Sequence, residues 1–86
     1  MKIATYNIWN EETTLELRAK QIMEEIHKVN ADVIGLQEVT TEFYNKYLIK
    51  ESGYVHHAFM QYPREEEGLV MLSRYPLIFL EALYHL

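Results

Sequence analysis

An α/β fold, a mixed β-sheet with helices on one face, is what the sequence predicts, and three observations predict it. Residues 2–9 alternate side chains with the period of a strand, residues 15–29 repeat apolar side chains at helical steps, and Val33, Ile34, Gly35 and Leu36 form an apolar run of the kind buried on both faces of a parallel sheet. Strand, amphipathic helix and strand make a βαβ unit. Its crossover is right-handed in nearly all proteins, so the first two strands are expected to run parallel.

The first strand sets Ile3, Thr5, Asn7 and Trp9 on one face and Ala4, Tyr6 and Ile8 on the other. Thr13 and Glu16 have the spacing of a capping box, which starts a helix there. Within it Leu15, Ala19, Ile22, Ile26 and Val29 form one stripe, and Arg18, Lys20, Glu24, Glu25 and Lys28 lie opposite. After the buried strand, Thr40 or Thr41 can cap a second helix whose apolar face is Phe43, Tyr44, Tyr47 and Leu48; Glu42 and Lys46 are spaced to pair, and Gly53 supplies the stop. Residues 54–62 alternate as a strand that Pro63 ends, and Arg64 to Glu67 reads as a solvated hairpin turn. A strand over 68–74, a turn at Tyr75 and Pro76, and a last strand over 77–83 complete the order. Strands apolar on both sides need cover on the face the helices do not reach, and no further element is predicted to supply it. The domain reads as unfinished.

Eighty-six residues make one small domain or a piece of a larger one. With three Gly and two Pro the chain has no linker or low-complexity segment. The absence of cysteine excludes disulfides, thiolate metal sites and a cysteine nucleophile, and makes a reducing cytoplasm the expected compartment. The N-terminus is not a secretory signal, and no apolar run is long enough for a transmembrane segment. A net charge of −5 argues against a basic grip on nucleic-acid phosphates and suits an acidic pocket for divalent cations.

In open α/β sheets ligands sit beyond the carboxyl ends of the strands. The βαβ topology delivers Asn7 and Glu38 to one such end. Glu38 offers a hard oxygen ligand, and Mg²⁺ is commonly held by one or two carboxylates plus water and substrate phosphate. Asn7 can position a phosphate or the metal-holding carboxylate. The plainer readings are that Glu38 caps the following helix and that Asn7 forms a turn. A complete hydrolase also needs a base and groups that neutralise developing charge, and neither is evident. His56 and His57 are adjacent on a strand and point to opposite faces, His27 lies on the polar side of the first helix, and His85 lies in the tail; none is assigned catalysis. Arg74 reads as a solvated strand end or a phosphate contact, and Trp9 and Tyr6 as core.

TYNIW at residues 5–9, LQEV at 36–39 and GLVMLSRYPL at 68–77, in this order and at these intervals, resemble the opening half of the endonuclease/exonuclease/phosphatase superfamily, whose fold is DNase I-like. The resemblance implies that residues 1–86 are the N-terminal portion of a four-layer α/β/β/α sandwich that hydrolyses phosphodiesters or phosphomonoesters with Mg²⁺ or Mn²⁺. Glu38 matches the family's metal-ligand glutamate, and Asn7 the active-site asparagine beside it, so both are the expected catalytic and metal-side residues. The family's Asp-x-Asn pair and terminal Ser-Asp-His have no counterpart here. The chain alone is therefore expected to be inactive. The implied partners are a phosphate-ester substrate (nucleic acid, phospholipid head group or sugar phosphate) and either a C-terminal half or a second copy of the chain. The alternative is a non-catalytic binding or assembly module that keeps the same scaffold.

Overall fold

A computed structural model of the chain describes residues 1–8 and 15–76. The elements run β1 (Ile3–Asn7), α1 (Leu15–Val29), β2 (Val33–Thr40), a helix α2 over 41–51, β3 (His56–Gln61) and β4 (Glu67–Ser73). The sheet order is β1-β2-β4-β3, with β1 parallel to β2 and the other pairs antiparallel. The sheet is thus mixed, as the order of the elements predicts. The hairpin from β3 to β4 turns through Tyr62 to Glu66, where the Tyr62 N–H donates to Glu67 O at 2.9 Å and Arg64 takes a φ of 63°. The strand expected over 77–83, Trp9 and the Thr13 cap lie outside the described residues.

Both helices pack on the same face of the sheet. Ala19, Ile22, Met23 and Ile26 of α1 share one buried cluster with Phe43, Tyr47 and Leu48 of α2 and with Ile34, Leu36, Val39, Val70 and Leu72 of the central strands. Fully burying side chains of this size stabilises the fold by about 1.5–3 kcal/mol each before chain entropy is charged against it. On the other face the register aligns Thr5, Gly35, Met71 and Ala58 in one row. Met71 Sδ lies 3.4 Å from where a Gly35 Cβ would stand, so the methionine covers the glycine. Ile3 is 66 % and Met60 44 % exposed, and among the described residues no helix lies on this face.

Helix α2 departs from the expected regular helix. Thr41–Phe43 and Ile49–Glu51 are α-helical, but Tyr44–Leu48 forms a π turn. The wider turn changes which residues align, and Glu42 and Lys46 form no ion pair; the Lys46 ammonium lies instead 5.7 Å from the Tyr47 ring centroid. Thr40 Oγ1 caps the helix by accepting from the Phe43 N–H at 3.1 Å, and Gly53, at φ 82°, follows its end.

At the amino ends of β1 and β2 a polar clasp joins three segments. Asp32 Oδ2 accepts from the Lys2 backbone N–H at 2.7 Å, and Oδ1 pairs with Arg74 at 3.1 Å. Arg74 also donates to Asn30 Oδ1. Arg74 is thus a solvated strand end that is also ion-paired, and it lies at the end of the sheet opposite Glu38. Its guanidinium closes β4 onto the loop before β2.

Candidate functional site

The parallel register pairs Asn7 with Gln37, and the Ile8 N–H donates to Gln37 O at 3.2 Å. Asn7 and Glu38 therefore reach the same end of the sheet, as the βαβ topology requires. The buried strand does not stop at residue 36. It continues to Thr40 through a bulge, because Leu36 opposes Val70 and Val39 opposes Gly68, which leaves Gln37 and Glu38 facing Leu69 alone.

Packing explains the bulge. Leu36 and Val39 are both fully buried in the helix-side cluster, yet in an unbroken strand residues three apart point to opposite faces. One extra residue restores the parity. Glu38 takes up the distortion, with a φ of 59° in the left-handed region where glycine is the ordinary occupant. It is half-buried, and among the described residues its side chain makes no hydrogen bond or ion pair. Nor does it cap α2, a role held by Thr40.

Arg18 is the residue that sequence reasoning missed. Its Nη2 donates to Ile8 O at 2.7 Å, one residue beyond Asn7, while its buried Nε has no partner among the described residues. The periodicity puts Arg18 on the outer side of α1, but helical side chains lean toward the helix N-terminus, and α1 is the element that follows the carboxyl end of β1. That lean was the available signal. The guanidinium brings a positive charge to the end of β1.

His27 and His57 serve the fold, and His85 lies outside the described residues. His27 Nε2 donates to Ser52 O at 3.2 Å, and His57 Nδ1 is 2.7 Å from the Tyr44 hydroxyl, beneath a Tyr44–Phe59 stack with centroids 5.1 Å apart. Burial pushes the Tyr44 hydroxyl pKa above its usual value of 10.0. Among the described residues no group of three His, Asp or Glu side chains converges as a metal cluster. At the carboxyl end of the parallel pair stands one carboxylate, Glu38, with no ion-pair partner among the described residues, and Asn7 on the adjacent strand.

The model of the Endonuclease/Exonuclease/phosphatase family matches residues 4–85, and the chain belongs to that family. No curated protein and no solved structure matches it. No helix among the described residues is long and apolar enough to cross a membrane.

Proposed function

We propose that the chain is the N-terminal part of a divalent-metal-dependent phosphohydrolase, with Glu38 as a ligand of Mg²⁺ or Mn²⁺ and Asn7 beside it. The observation that carries this reading is the conformation of Glu38. A carboxylate stands in a left-handed bulge where glycine costs less, at the carboxyl end of a parallel pair and with no structural partner among the described residues. Strain of this kind clusters at functional sites, where the surrounding packing imposes it.

A bound Mg²⁺ supplies Lewis acidity toward a phosphoryl oxygen and orients the ester. Glu38 contributes the anionic oxygen that holds it. The Asn7 amide orients that carboxylate or a phosphate oxygen, and Arg18 adds positive charge at the same end of the sheet. The water-activating base and the remaining ligands fall to a C-terminal half, which also covers the sheet face bearing Ile3 and Met60. In its absence a second copy of the chain occupies that face. The substrate is a phosphate ester, and the cysteine-free composition favours the cytoplasm.

Hydrolysis of bis(p-nitrophenyl) phosphate in Mg²⁺ tests the reading. The 86-residue chain is expected to show no steady turnover. Activity is expected once it is joined to a segment carrying the Asp-x-Asn and Ser-Asp-His motifs, and to be lost in Glu38→Gln. Steady metal-dependent turnover by the chain alone would overturn its incompetence, and full activity in Glu38→Gln would overturn the role of Glu38.

A further inference from the structure

The bulge at Glu38 changes the hydrogen bonding of the neighbouring strand. The Ile8 N–H donates to Gln37 O at 3.2 Å, so in an unbroken parallel ladder the next bond would run from the Val39 N–H to Ile8 O. The bulge prevents that bond. With Gln37 and Glu38 both opposite Leu69, Val39 turns to β4 and pairs with Gly68, and the parallel register ends at Asn7 and Gln37.

Arg18 supplies the donor that the ladder loses. From the first turn of α1 its Nη2 reaches Ile8 O at 2.7 Å. The contact is kept against a cost, because Nε is buried with no partner among the described residues. An arginine whose stem merely covered the helix surface would keep its whole head group in water.

We propose that Arg18 is a positioning residue that holds the bulge presenting Glu38. Its bond fixes Ile8, the Ile8 N–H fixes Gln37, and Gln37 immediately precedes Glu38. The importance of this for chemistry rests on the reading of Glu38 as a metal ligand, since the same contact then sets the carboxylate against Asn7. The sign of the effect separates positioning from charge. A guanidinium near the site repels a cation, so removing its charge alone would tighten Mn²⁺ binding. Removing a support weakens it.

NMR of ¹⁵N-labelled wild type, Arg18→Lys and Arg18→Met, first without metal and then in a Mn²⁺ titration, tests this. Lysine keeps a charged donor, methionine keeps only the stem, and both are good helix formers. A residue at positive φ gives a strong NOE between its own HN and Hα. Without metal that signal is expected at Glu38 in wild type and Arg18→Lys, and should weaken in Arg18→Met, with amide shifts at residues 37–39. Mn²⁺ affinity, read from broadening at 37–39, should fall about tenfold in Arg18→Met, the effect of one hydrogen bond from a charged donor. In Arg18→Lys it should stay within about threefold of wild type. Asp32→Asn, at the opposite end of the sheet, should change neither readout. The proposal is overturned by an intact Glu38 signal in Arg18→Met, by unchanged or tighter Mn²⁺ binding there, or by Arg18→Lys behaving as Arg18→Met. Wild-type protein without Mn²⁺ broadening at 37–39 would instead overturn the metal reading of Glu38, and the metal-free spectra would still decide whether Arg18 holds the bulge.

Discussion

Replacing Glu38 by glycine should make the protein more stable. An L-residue in the left-handed region carries a cost of about 1–2 kcal/mol, and Glu38 holds a φ of 59° there. Glycine removes that cost but loses about 0.5–1 kcal/mol more backbone entropy on folding. The balance favours Glu38→Gly by about 0.5–1 kcal/mol, or about 4 °C in Tm for a domain of this size. Glu38→Ala keeps the Cβ and therefore the strain, so its stability should stay within about 0.5 kcal/mol of wild type. Urea unfolding followed by far-ultraviolet circular dichroism separates the three proteins. Equal stability of the Gly and Ala variants would refute the strain argument, and so would destabilisation by glycine, because the bulge would then gain something from the glutamate side chain.

Other consequences concern the scaffold. A Cβ on Gly68 would fall 2.2 Å from Met60 O and 2.8 Å from Gln61 Cα, so Gly68→Ala must push β3 away and should cost about 3 kcal/mol in urea unfolding. Thr40→Ala removes the α2 cap and should cost about 1 kcal/mol by the same measurement. The Lys2 N–H and Arg74 hold the Asp32 pKa below its ordinary 3.8. A depressed carboxylate stabilises the fold above its unfolded pKa, and that contribution fades as pH falls through the folded value. Thermal melts should therefore lose stability below about pH 4, and Asp32→Asn should flatten that acid limb.

Much of the fold was legible because it follows from period and topology. The stripe from Ala19 to Ile26, the parallel pairing of β1 with β2, the stop at Gly53 and the hairpin before β4 all follow from local spacing and one handedness rule. The shared end of Asn7 and Glu38 followed from the same rule. The bulge was less apparent, since it answers a packing conflict between Leu36 and Val39 that appears only when both are known to face the helices. Their odd spacing was the clue. Arg18 reaching Ile8 and Arg74 clasping Asp32 depend on where long side chains travel in three dimensions, which spacing along one element does not report. The π turn in α2 left no mark in the apolar pattern, because Phe43, Tyr47 and Leu48 remain buried through it.

Mn²⁺ titration of ¹⁵N-labelled protein most directly tests the claim that Glu38 is a metal ligand. Paramagnetic broadening should appear first at the amides of Asn7, Ile8 and residues 37–39, and should vanish from them in Glu38→Gln. Broadening that starts at the Glu65–Glu67 hairpin, or that persists around residue 38 in Glu38→Gln, would contradict the account.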